Sequence, residues 1–167
     1  MFITGGGSGI GAALTRAFAG QKSKTAFVDI AVEPSRALVA EEERETGNRP
    51  LFLPCDIRDI PALQAAIEQV RCELGDVAVL VNNAANDQRH KVEEVTPDYW
   101  DERMAINLRP SFFTAQAVLP QMQRLGGGAI INFGSISWMV PQGGFPDYAT
   151  AKSAAHGLTR TLARDFG

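Results

Sequence analysis

The run Thr4-Gly5-Gly6-Gly7-Ser8-Gly9-Ile10-Gly11, set between a short apolar stretch and a helical pattern, constrains this chain more than any other feature. Glycines at a strand-to-helix turn leave backbone N–H groups uncovered at the positive end of a helix dipole, where phosphate binds readily. In a dinucleotide-binding turn each glycine meets its own demand. Gly5 permits the tight turn, Gly9 close approach to a pyrophosphate, and Gly11 close packing of helix on strand. Ser8 and Ile10 complete the cradle. A bare glycine loop would be only a flexible turn, but the strand before it and the amphipathic helix after it favour a nucleotide site.

The rest of the chain repeats the strand-then-helix pattern. Short β-branched or apolar runs at Phe2–Thr4, Thr25–Asp29, Pro50–Pro54, Val77–Asn82 and Ala129–Phe133 predict five strands, and their mostly apolar character suits strands covered on both faces. Helical periodicity covers Ile10–Ala19, Pro34–Glu45, Ile60–Leu74, Pro97–Leu125 and Tyr148–Asp165. Asp59 and Thr96-Pro97 are start signals, and Gly47, Gly75 and Gly126 are stop signals. Pro110 and Pro120 are each expected to kink or divide the long fourth segment. The pattern predicts one α/β domain over residues 1–167, a Rossmann-type doubly wound parallel sheet with helices on both faces.

Five further positions carry chemistry. Asp29 ends the second strand 18 residues beyond Gly11, where a carboxylate accepts hydrogen bonds from ribose hydroxyls and repels a 2′-phosphate, which points to NAD. Tyr148 and Lys152 are four residues apart and share a helix face. There the ammonium group favours the phenolate and so suits the tyrosine to acid–base work. Ser135 follows the fifth strand at its carboxyl end, where open α/β sheets bind ligands, and Asn107 is expected to begin a helix after Ala105-Ile106.

These motifs together resemble the classical short-chain dehydrogenase/reductase family over the whole chain. The glycine turn matches the family's cofactor motif, Asp56-Ile57 its adenine-contacting pair, and Asn82-Asn83-Ala84-Ala85 its sheet-stabilising segment; Ala85 replaces the usual glycine. Asn107, Ser135, Tyr148 and Lys152 match the catalytic tetrad, with Ser135 at the family's spacing of 13 residues before Tyr148. The resemblance implies that Tyr148 is the acid/base and that Ser135 polarises the substrate oxygen. Lys152 lowers the tyrosine pKa and binds the nicotinamide ribose, and Asn107 holds a relay water. Asn83 and Ala84 join Asp56, Ile57 and the glycine turn in binding the cofactor.

Three stretches resemble the bacterial aldose 1-dehydrogenases within the family, those acting on D-xylose in particular. They are Asn86-Asp87-Gln88-Arg89-His90-Lys91, Tyr99-Trp100-Asp101-Glu102-Arg103 and Asn132 to Trp138. The implied reaction oxidises the anomeric hydroxyl of a cyclic sugar with NAD. Asn86, Asp87 and Arg89 are then expected to bond sugar hydroxyls, with Ser137 beside Ser135 and Trp138 stacked on the ring. His90 is expected to be a loop residue rather than a ligand, and His156 a packing or interface residue. The alternatives are a reductase of 3-oxoacyl thioesters and a catalytically inactive NAD-binding module. The resemblance also implies further strands, a substrate-covering loop and an oligomer interface after Gly167. Without them the fifth strand is expected to be an exposed, sticky sheet edge.

Composition excludes other classes. Sixteen basic and 19 acidic residues give a net charge of −3, without a basic cluster for nucleic acid or an anionic membrane. The apolar runs are far too short to span a bilayer, and the start lacks a signal sequence, so a cytoplasmic protein is expected. Cys55 and Cys72 fit neither a disulfide framework nor a metal site, and no metal is expected.

Overall fold

The computed structural model describes residues 1–140 and 142–167. Five parallel strands, β1 (Phe2–Thr4), β2 (Ala26–Asp29), β3 (Leu51–Pro54), β4 (Val79–Asn82) and β5 (Ala129–Asn132), form one sheet in the order β3-β2-β1-β4-β5. Between and after them run α1 (Gly9–Gly20), α2 (Val32–Thr46), α3 (Ile60–Leu74), α4 (Pro97–Asn107), α5 (Arg109–Arg124) and α6 (Pro146–Phe166). The strand order reverses between β1 and β4, which opens a crevice at their carboxyl ends.

Strand alternation sends successive side chains to opposite faces. Phe2, Val28 and Leu80 join Leu63 and Ile67 of α3 and Val118 of α5 in one apolar cluster. Ile3, Phe27 and Val81 join Ala12 of α1 and Leu38 and Val39 of α2 in the other. The sheet is thus covered on both sides at β1, β2 and β4, which carry no polar face, whereas Ala129 and Ile131 of the edge strand β5 are exposed. Asp59 caps α3 by accepting from the Ala62 N–H at 3.0 Å, and Thr96 caps α4 by accepting from the Tyr99 N–H at 3.2 Å. Gly47 ends α2 at φ +70°, where a Cβ would be strained.

Several boundaries differ from the expectations. Val77 stands outside β4 because its N–H is taken by the Gln121 side chain at 2.9 Å rather than by a neighbouring strand. The long fourth segment divides at Leu108 (φ −134°, ψ −56°). Pro110 has no N–H for the carbonyl four residues earlier, and Ser111 donates instead to Leu108 O at 3.1 Å. Asn107 therefore ends α4 rather than beginning a helix. Pro120 does not divide α5, which runs on to Arg124 with Val118, Gln121 and Met122 buried around it. Helix α6 starts at Pro146, two residues earlier than expected, so Asp147 and Tyr148 lie in its first turn. Among the described residues no helix is long and apolar enough to cross a membrane.

Candidate active site

The glycine turn is braced from three sides. Asp29 accepts from the Gly7 N–H with one oxygen and from the Ala31 N–H with the other, each at 2.9 Å. Asn83 donates its side-chain amide to the carbonyls of Thr4 (3.1 Å) and Gly5 (3.0 Å). Thr15 of α1 donates to Gly6 O at 3.0 Å. At Gly11 a Cβ would strike the Gly5 carbonyl oxygen and crowd the Asn83 amide. That glycine is therefore required for packing α1 against the turn itself, not against the strand. Gly9 is the opposite case: at φ +51° a Cβ there would meet nothing, so the turn presents an open face. Ser8, beside it at the start of α1, is exposed and makes no capping bond with its side chain.

The turn opens onto a cavity of about 680 Å³ at the crevice between β1 and β4. Gly5, Ser8, Ile10, Asp29, Asp56, Ile57, Asn83 and Ala84 all line it, as does Asn86. Arg58, to which the sequence assigned no role, and Glu102, named only within the stretch Tyr99–Arg103, also line it. Arg58 binds Asp56 and reaches Glu102 at 2.8 Å, and its hydrogen bonds hold the Asp56 carboxyl below its ordinary pKa. The Asn83 side chain faces the turn, so its part in the cradle is to hold the glycines in shape.

Tyr148 and Lys152 lie one turn apart on α6, with the Lys152 ammonium 5.6 Å from the centre of the Tyr148 ring. Lys152 is buried and donates to Phe133 O, just past β5, at 2.8 Å. Burial lowers its pKa, because the charged form loses water without gaining a carboxylate. Ser135 accepts from the Ser137 N–H at 3.1 Å and starts a 3-10 turn over Ile136–Trp138; its own O–H remains free to point elsewhere. Asn107 is buried. Its oxygen accepts from the Asn86 N–H at 2.8 Å and its amide donates to Asn86 O at 3.0 Å.

The expected sugar contacts are placed less uniformly. Trp138, Ser135 and Lys152 line a second hollow of about 280 Å³, and Trp138 stacks on His156 with ring centres 6.0 Å apart. Ser137 is buried, with its hydroxyl unpartnered among the described residues. Asp87 is exposed. Arg89 bonds Gly143 O at 3.2 Å and lies 4.4 Å over the Phe145 ring, so its guanidinium braces a neighbouring loop. His90 lies in a loop, as expected, but its ring is held there. Its ring sits between Tyr99 and Asp147, 3.0 Å from each, and its side chain is 10% exposed. A lone histidine in a polar loop carries no spacing signal that could have revealed this. Among the described residues no cluster of His, Cys, Asp or Glu is arranged to hold a metal.

A family model described as short chain dehydrogenase matches residues 1–167. The chain is 52% identical over 165 residues to a D-xylose 1-dehydrogenase of Caulobacter vibrioides, covering 99% of this chain and 64% of that protein. It is 50% identical over 167 residues to a probable galactose dehydrogenase of Rhizobium meliloti, covering all of this chain and 65% of the relative. The chain thus spans slightly less than two thirds of the length of these relatives. Among solved structures it superposes on a gluconate 5-dehydrogenase from Burkholderia cenocepacia in complex with NADP and tartrate. That match has a TM-score of 0.88 and 31% identity, and covers 99% of this chain and 64% of the other.

Proposed function

This chain belongs to the short-chain dehydrogenase family, and we propose that it acts as an NAD-dependent dehydrogenase on the anomeric hydroxyl of an aldose such as D-xylose. The observation that carries the chemistry is the pairing on α6. A buried ammonium group, Lys152, stands one helical turn from Tyr148 and, among the described residues, has no carboxylate to neutralise it. That positive charge favours the phenolate, the form in which tyrosine takes a proton from a sugar hydroxyl.

Several residues fit a dinucleotide. The open face at Gly9, the free Ser8 hydroxyl and the start of α1 suit a pyrophosphate. Asp29, 9% exposed at the cavity wall, suits ribose hydroxyls and repels a 2′-phosphate. Its two oxygens already accept backbone N–H groups, but each keeps a lone pair for a ribose O–H. This is the ground for NAD here, although the Burkholderia neighbour was solved with NADP. When bound, NAD accepts the hydride released from the sugar's anomeric carbon.

The chain's own residues do the rest. Ser135 donates its O–H to the reacting oxygen and keeps it against Tyr148. Tyr148 removes the hydroxyl proton as the C–H bond breaks, and the product is a lactone. Lys152 stabilises the phenolate before the step, and the proton leaves toward solvent past Lys152. At the α4–α5 break the Asn107 carbonyl faces no N–H from Ser111, which bonds Leu108 instead, so it is free to hold a water on that path. The aldose reading leans on the two sugar dehydrogenase relatives and on the polar loop Asn86–Lys91. The test is reduced-cofactor formation from NAD with D-xylose, D-galactose and L-arabinose, set against oxidation of NADPH by a 3-oxoacyl thioester. Turnover of the thioester alone would replace this reading.

The remaining expectations belong to the same proposal: one domain, a homo-oligomer in the full-length protein, a cytoplasmic location, and no nucleic acid or membrane partner.

A further inference from the structure

We propose that His90 is a positioning residue for Tyr148, acting through a buried contact with Asp147; the proposal rests on the reading of Tyr148 as the acid/base. Asp147 is the residue immediately before Tyr148, in the first turn of α6, and its side chain is 1% exposed. Neither of its carboxylate oxygens has a hydrogen-bond donor among the described residues. His90 Nε2 lies 3.0 Å from Oδ1, within reach of it but without the alignment of a hydrogen bond. A carboxylate so deeply buried requires a compensating partner, and the imidazole is the group placed to supply it.

The other side of the ring is held as firmly. Nδ1 is 3.0 Å from the Tyr99 hydroxyl of α4 and 3.2 Å from Gln88 O. The His90 N–H donates to Gly144 O at 2.8 Å. Next to it, Arg89 covers Phe145, whose ring meets Tyr148 edge-on with centres 5.8 Å apart. Residues 89 and 90 therefore grip the approach to α6 through backbone, ring and charge together.

That grip matters because the N-cap residue of α6, Phe145, makes no capping bond with a side chain. The same loop is fastened at its far end by Asn107, which binds both backbone groups of Asn86. The loop Asn86–Lys91 thus ties one tetrad residue, Asn107, to the turn that carries another, Tyr148. Displacing a reacting group by about 1 Å lowers turnover on the order of 100-fold.

The test uses the protein labelled with 3-fluorotyrosine. It contains two tyrosines, so fluorine NMR resolves Tyr148 directly, with Tyr148→Phe to assign it. In NAD-loaded His90→Leu, the Tyr148 resonance is expected to move and kcat to fall about 10- to 100-fold, with KM for NAD unchanged. His90→Gln, which keeps a polar nitrogen near the Nε2 position, is expected to restore much of both. Should His90→Leu fail to fold, Asp147→Asn carries the same expectation of a displaced resonance and a lowered kcat. An unmoved Tyr148 resonance with wild-type kcat in either variant, whatever its melting temperature, would overturn the proposal. If the unmodified protein turns over no sugar, the aldose reading fails by itself and the resonance still decides the role of His90.

Discussion

Asn107 closes a two-bond ring on Asn86: its carboxamide accepts that residue's N–H at 2.8 Å and donates to its carbonyl at 3.0 Å. The side chain is therefore occupied in holding the loop after β4, which leaves only the backbone of Asn107 for the water-holding role proposed for it. Asn107→Ala strips both partners from a partly buried peptide, which costs about 1–3 kcal/mol. The expected outcome is a lower urea midpoint together with reduced kcat. Unchanged turnover at full stability would separate Asn107 from the site.

Gly11→Ala places a methyl group against the Gly5 carbonyl and the Asn83 amide. The backbone cannot yield there without moving the turn. Overpacking of this kind costs about 1–3 kcal/mol, and the same displacement spoils the cradle. Calorimetry is expected to show weakened NAD binding in a folded variant.

Asp29 is expected to set cofactor choice. Two unit charges about 4 Å apart repel by about 1–4 kcal/mol between the water limit and an effective dielectric constant of about 20. Because Asp29 is largely buried, the penalty on a 2′-phosphate lies above the water limit. Asp29→Asn is expected to reduce the ratio of kcat/KM for NAD over NADP by about tenfold or more. An unchanged ratio would move the discrimination elsewhere.

Lys152 ties function to a cost in stability. Its folded pKa is lowered by burial, so over the interval between that value and its ordinary value of 10.5 the unfolded chain binds more protons than the folded one. Stability contributed by this group therefore rises with pH across that interval. Wild type is expected to gain on Lys152→Met as pH climbs toward the upper bound, read as the difference in denaturation midpoints at neutral and alkaline pH. A constant difference would mean that burial leaves the ammonium group unperturbed.

Local rules made much of this molecule legible in its sequence. The apolar runs matched all five strands, and in the central strands β1, β2 and β4 burial on both faces leaves no polar alternation to misread. The glycine turn, Asp29 and Asp56-Ile57 met at one cavity because strand ends in a parallel sheet share one edge. What escaped was set by contacts between distant segments. Val77 left its strand for Gln121, and Asn107 proved to end a helix because Pro110 withheld an N–H. Above all, the His90–Asp147 pair joins residues far apart in the chain, each unremarkable in its own neighbourhood. The role of Asp29 in bracing Gly7 was hidden for the same reason.

The most direct test of the central claim is to follow hydride itself, incubating the protein with NAD and D-xylose deuterated at the anomeric carbon and weighing the reduced cofactor by mass spectrometry. The account predicts reduced NAD that carries the deuterium, and its loss in Tyr148→Phe by a factor on the order of 10² to 10⁴. Reduced NAD without the label, or none formed from any aldose, would contradict it.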